Sequence, residues 1–139
     1  MRILLLTQFF QPEPMFKGLP LAQALRDRGH QVEVLTGFPN YPGGKIYDGY
    51  RLAAWKRESM SGVDVIRLPL FLSHDRGSLR RMLNYLSFGL TTGVLGLWLV
   101  KKPDVIYVYN LVTLGTTWRL LRFRHRCRVV LDVQDLWPE

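Results

Sequence analysis

Asp132 and Asp135 stand just past the apolar run Val129-Val130-Leu131, in the segment Asp132-Val133-Gln134-Asp135-Leu136-Trp137-Pro138. Carboxylates at the end of a buried strand can act as a base. They can also accept hydrogen bonds from sugar hydroxyls while an aromatic ring covers the sugar's apolar face. The competing use is to cap a following helix. His74-Asp75-Arg76 is a second compact polar group. An imidazole beside a carboxylate can be a base or, when protonated, hold a phosphate; the competing use is a loop closed by its own hydrogen bonds. His30 falls at a helix-to-strand turn and reads as structural. His125 lies in an arginine-rich run and reads as exposed.

Other chemistry is excluded. No G-x-G-x-x-G follows the first apolar run, and no G-x-x-x-x-G-K-[ST] occurs. H-E-x-x-H, C-x-x-C and G-x-S-x-G are absent, so neither a zinc site nor an α/β-hydrolase elbow can be argued. The single cysteine, Cys127, rules out a disulfide framework.

The elements that must position these residues alternate. Ile3 to Thr7 reads as a buried strand, stopped by Gln11-Pro12-Glu13-Pro14. Leu19, Leu21, Ala22, Ala24 and Leu25 recur at helical spacing, and Gly29 is a natural stop. Gln31 to Thr36 is a second strand, which completes a βαβ unit. Gly37 to Tyr50 carries two prolines and four glycines and reads as a long loop with function of its own. Val63 to Leu68 is a third strand. A helix from Leu79 to Lys101, about 34 Å long at ~1.5 Å per residue, is expected to be loosened by Gly89, Gly93 and Gly96. Val105 to Tyr109, Leu114 to Arg124 and Val129 to Val133 read as strand, helix and strand. Five strands alternating with helices define a doubly wound, Rossmann-like α/β fold with a mostly parallel sheet. Ligands bind such sheets beyond the strands' carboxyl ends, where the polar and aromatic segments here fall.

The 139 residues suit one domain with its own core. No secretory signal and no uninterrupted apolar stretch long enough to span a bilayer is present. Nineteen basic against eleven acidic residues give a net charge of +8, all of it equalled by residues 74–128, with ten basic and two acidic residues. A basic face can meet anionic lipid, phosphorylated substrate or nucleic acid, or merely keep the chain soluble. Leu86 to Val100 is apolar nearly all round, with Arg80 and Arg81 before it, Trp98 near its end and Lys101 and Lys102 after it. That pattern means deep burial or contact with anionic lipid. The run Trp118 to Arg128 holds five arginines. Lipid or solvent suits it better than RNA, because no nucleic-acid module surrounds it.

Taken together, three segments resemble the N-terminal domain of family 4 retaining glycosyltransferases of the GT-B fold. They are Ile3-Leu4-Leu5-Leu6-Thr7-Gln8-Phe9-Phe10-Gln11-Pro12-Glu13, the stretch Arg28 to Pro42, and Leu131 to Glu139. The resemblance is nearest to bacterial enzymes that glycosylate lipid-linked precursors of surface polysaccharide. It implies that residues 1–139 form the acceptor-side domain, that a C-terminal domain binds the nucleotide-sugar, and that this domain alone is inactive. It further implies no metal and no cofactor, the nucleotide-sugar being a substrate, and a cytoplasmic enzyme held on the inner face of the cell membrane. Glu13, Lys17 and Gly18 would line the donor phosphates. Asn40, Tyr41, His74, Asp75, Tyr109 and Asn110 would shape the acceptor pocket, which takes a lipid-linked or saccharide acceptor. Asp132 and Asp135 would position the reacting hydroxyl. Arg80, Arg81, Trp98, Lys101 and Lys102 would touch the membrane. Two departures stand out. Relatives often carry Gly-Gly after Pro-Glu, where this chain has Pro14-Met15-Phe16-Lys17-Gly18. Many carry a histidine where this chain has Asp132-Val133-Gln134-Asp135. The rival reading is a non-enzymatic α/β module that binds a membrane or a protein partner.

Overall fold

The computed structural model describes residues 1–15, 17–73, 77–109 and 115–133, without the side chains of 115 and 116. The elements in chain order are β1 (Arg2–Leu6), α1 (Leu19–Asp27), β2 (Gln31–Gly37), β3 (Lys56–Met60), β4 (Val63–Leu68), α2 (Ser78–Leu99), β5 (Val105–Tyr109), α3 (Gly115–His125) and β6 (Arg128–Asp132). The strands form one sheet in the order β3-β4-β2-β1-β5-β6. All neighbours are parallel except β3, which is antiparallel to β4. The doubly wound fold expected from the alternation is therefore present.

The β1 strand shows how the two faces are built. Its alternate side chains point to opposite sides of the sheet. Leu4 and Leu6 join Leu35, Ile66, Leu68, Ile106 and Phe88 in the core beneath α2 and α3. Leu5 joins Val34, Val63, Val65 and Ala22 beneath α1. A strand buried on both faces needs a continuous apolar run, which Ile3 to Leu6 supplies.

Local signals set the ends of α1. Gln11 reaches back to its first turn, with Oε1 accepting the Leu19 N–H at 2.6 Å. A Cβ at Gly18 would run into that same Oε1 and push the Gln11 amide off the Leu19 N–H. At the other end Gly29, at φ +90°, lets its N–H reach Arg26 O and the His30 N–H reach Leu25 O. This double closure satisfies the last carbonyls.

Three expectations need correcting. The sheet has a sixth strand, β3, whose sequence Lys-Arg-Glu-Ser-Met is nearly all polar. It is an edge strand and buries little, so hydrophobic patterning does not reveal it. The turn that creates it, Ser61-Gly62 with φ +51° and +79°, is a two-residue hairpin turn of the primed kind. Secondly, the glycines do not loosen α2, which runs unbroken over 22 residues. They let α3 approach: Thr117 Oγ1 donates to Gly89 O at 2.9 Å, and a Cβ at Gly93 would already touch Leu120. Thirdly, His125 is 7% exposed rather than solvated, and its Nε2 has no hydrogen-bond partner among the described residues. Burial, then the nearby Arg124 and Lys102, hold its pKa below the ordinary histidine value.

Candidate functional site

The carboxyl ends of β1, β2, β5 and β6 carry two side-chain groups. The first centres on Glu13, which is buried. Its Oε2 accepts the Phe10 N–H at 3.0 Å, and its Oε1 accepts the N–H groups of Asn40 and Tyr41 at 2.9 Å each. One carboxylate thus ties the loop after β1 to the loop after β2. Burial pushes the Glu13 pKa above the ordinary glutamate value, against three N–H donors and the Arg67 charge that pull it down. Both oxygens are occupied by backbone, so Glu13 supports the cleft from beneath rather than lining it. This differs from the donor-phosphate role that the resemblance implies.

Asn40 is buried as well, and its amide donates to Phe38 O at 2.8 Å. Tyr41 differs: its ring is exposed and tilts against Phe9 at 5.1 Å between centroids. Of this pair, Tyr41 has a face free for a sugar ring, while Asn40 shapes the loop.

The second group centres on Asp132, the last residue of β6. Its Oδ2 accepts from Lys17 Nζ at 2.7 Å and from the Tyr107 hydroxyl at 2.5 Å. Lys17 also lies over the Tyr109 ring, 5.6 Å from its centroid. The β5–β6 register places Tyr109 beside Asp132. Burial first, and then the bond to Asp132, push the Tyr107 pKa up to about 12, so Tyr107 remains a donor at neutral pH. A half-exposed cation, a mostly shielded carboxylate and two phenol rings therefore meet at the carboxyl edge. Such a group can neutralise phosphate, accept from a hydroxyl and stack against a ring.

Sequence reasoning placed Lys17, Tyr109 and Asp132 at this edge, and the structure brings them together. It did not single out Tyr107, which is drawn in by the β5–β6 pairing. It also missed Arg67. That guanidinium, fully buried in β4, donates to Gln11 O, to Gly37 O at 3.2 Å and to Glu58 Oε1 at 2.5 Å, and lies over the Tyr50 ring at 5.0 Å. It ties the loop after β1 and the end of β2 to β3. The signal in the sequence was an arginine set between apolar residues near the end of a strand, Val65-Ile66-Arg67-Leu68. His74, Asp75, Asn110 and Asp135 lie outside the described residues. The proposed membrane residues sit elsewhere: Arg80 and Arg81 begin α2 near the carboxyl edge, and Trp98, Lys101 and Lys102 lie at its far end.

A doubly wound sheet with its polar cluster at the carboxyl edge is the architecture of a Rossmann-like ligand-binding domain. The family described as "Glycosyl transferase 4-like domain" matches residues 19–139, and the chain belongs to it. It is 30% identical over 118 residues to "Putative colanic acid biosynthesis glycosyl transferase WcaI" of Escherichia coli (strain K12), covering 83% of this chain and 28% of that protein. Its fold matches a structure described as "Trehalose-6-phosphate from E. coli bound with UDP-2-fluoro glucose", with a TM-score of 0.61 at 14% identity. That match covers 99% of this chain and 34% of the other. The chain thus spans about a third or less of the length of these relatives.

Proposed function

We propose that the protein transfers a sugar, with retention of configuration, from a nucleotide-sugar to a lipid-linked acceptor in surface-polysaccharide or cell-envelope biosynthesis. Residues 1–139 form its acceptor-side domain and need a donor-binding domain for turnover. The reaction uses no metal and no cofactor, and takes place in the cytoplasm at the inner face of the cell membrane. The observation that carries this reading is the Lys17–Asp132 ion pair at 2.7 Å, on the carboxyl edge of a glycosyltransferase fold. Lys17 offers charge to the donor phosphates without the Gly-Gly that relatives use. Asp132 accepts the hydrogen bond that orients the reacting hydroxyl, and Tyr41 and Tyr109 supply ring faces for the acceptor. Gly18 and Glu13 hold the loop that carries Lys17. Asp135, His74, Asp75 and Asn110 join the site by sequence position alone.

The test is sugar transfer to a polyprenyl-diphosphate acceptor by the protein together with its donor domain. Asp132→Asn keeps the shape of the side chain but removes the charge that holds Lys17. It should cut kcat by about a hundredfold or more, the lower end of what a positioned acid or base contributes, and leave the melting temperature within a few degrees. Turnover equal to that of the unaltered protein would remove Asp132 from the mechanism.

A further inference from the structure

One oxygen of the Asp132 carboxylate takes two donors, and the two are held differently. Oδ2 accepts from Lys17 Nζ at 2.7 Å and from the Tyr107 hydroxyl at 2.5 Å. A carboxylate oxygen offers about two lone-pair sites, so these donors fill Oδ2. A sugar hydroxyl reaches that oxygen only after one of them leaves.

Tyr107 is anchored. Its strand is paired on both sides, with Leu5 of β1 and Val130 of β6 as its neighbours in register. Its ring packs against the cluster that holds Leu5, Phe10 and Ala22. A tyrosine has few torsions through which to swing away, and the raised Tyr107 pKa keeps the proton on the phenol at neutral pH. Lys17 is loosely held by comparison. It lies in the loop between β1 and α1 rather than in a strand. Its side chain is 44% exposed, against 16% for Asp132, and ion pairs with an exposed partner are weak. Its flexible stem carries a point charge that re-aims easily. A diphosphate also brings more negative charge than one carboxylate.

We propose that Tyr107 is a positioning residue for sugar transfer, holding the Asp132 carboxylate in place while Lys17 passes from Asp132 to the donor diphosphate. This deepens the function proposed above and rests on it. In the empty site Lys17 covers Oδ2. When the diphosphate draws Lys17 away, a lone pair of Oδ2 opens near the Tyr109 ring, which the β5–β6 register sets beside Asp132. The acceptor hydroxyl donates to it. Tyr107 stops the carboxylate from rotating and, by donating to its charged form, keeps it ionised. Among the described residues, the titratable groups placed against Asp132 are Lys17 from the loop after β1 and Tyr107 and Tyr109 from β5.

The test compares Tyr107→Phe with Lys17→Met in the protein together with its donor domain. Phenylalanine keeps the ring packing and removes only the hydroxyl. At saturating donor Lys17 is engaged by phosphate, so the pH profile of kcat reports the Tyr107 bond. Tyr107→Phe should lower kcat about tenfold or more, the range of a hydrogen bond to a charged group. It should leave the donor KM unchanged and move the acid limb of the kcat profile up by about one pH unit. Lys17→Met, a change at a half-exposed side chain, should instead raise the donor KM and leave that limb in place. A limb unmoved in Tyr107→Phe, or moved equally by Lys17→Met, would overturn the proposal. A second measurement needs no turnover: titration of the Asp132 carboxyl by carbon-13 NMR, with its resonance assigned through Asp132→Asn. Its midpoint should rise by about one unit in Tyr107→Phe at an unchanged melting temperature. An unmoved midpoint in a protein that transfers sugar refutes the positioning role alone. A raised midpoint in a protein that transfers none refutes only the enzymatic reading.

Discussion

Replacing Arg67 by methionine tests whether a single buried guanidinium holds the cleft loops in register. Methionine keeps much of the length and apolar packing of the arginine and removes its charge and donors. Gln11 O and Gly37 O then lose this donor, and the Glu58 carboxylate keeps only the Tyr50 hydroxyl at 3.2 Å and Lys56 at 3.7 Å. Arg67 is fully buried and Glu58 mostly so, so the screening that weakens surface ion pairs is largely absent. Removing one partner of such a pair costs roughly 3–5 kcal/mol. Unfolding entropy of about 2.1 cal/mol/K per residue gives a melting temperature roughly 10–17 °C lower for a domain of this length. Thermal and urea unfolding followed by circular dichroism measure it. The double variant Arg67→Met/Glu58→Met removes the carboxylate that has lost its buried cation and should recover at least ~1 kcal/mol relative to the single change. A loss under ~1 kcal/mol for Arg67→Met, the range of an exposed pair, would refute the reasoning. It would mean that the guanidinium is solvated in solution and the loops stand without it.

Two further outcomes follow from the same geometry. Gly18→Ala should cost about 1–3 kcal/mol in urea unfolding, because its Cβ displaces Gln11 Oε1 and strands the Leu19 N–H; an unchanged midpoint would mean that Gln11 does not cap α1. His125 has a lowered folded pKa, so the unfolded chain binds the proton more readily. Its contribution is complete above the unfolded value of about 6.5 and is lost as pH falls below it. His125→Gln should therefore flatten the stability profile below about pH 6.5, and an identical slope in both proteins would exclude His125 as its source.

The alternation of apolar runs with helical stripes was enough to predict a doubly wound sheet. A strand buried on both faces must be apolar throughout, and that pattern is local. The carboxyl-edge position of Tyr109 and Asp132 followed from the same reading, because the fold class fixes which strand ends face the ligand, whereas Lys17 came from the family resemblance. Local sequence also marked the ends of α1, where Gly29 alone tolerates the required backbone angle. Other features depend on partners distant in sequence, and no local pattern encodes those. Strand β3 is polar at four of its five positions and exists through its pairing with β4. The Arg67 guanidinium is stable at the core only because Gln11, Gly37 and Glu58 converge on it. The inward turn of Glu13 needed the N–H groups of Asn40 and Tyr41, 27 and 28 residues away. Even the role of the α2 glycines was undecided until α3 lay against them. A glycine reads as a helix breaker by propensity and as a contact point once a second helix arrives. Composition fixed what could be buried; tertiary packing decided which polar groups were buried with it, since each needed a partner brought from elsewhere in the chain.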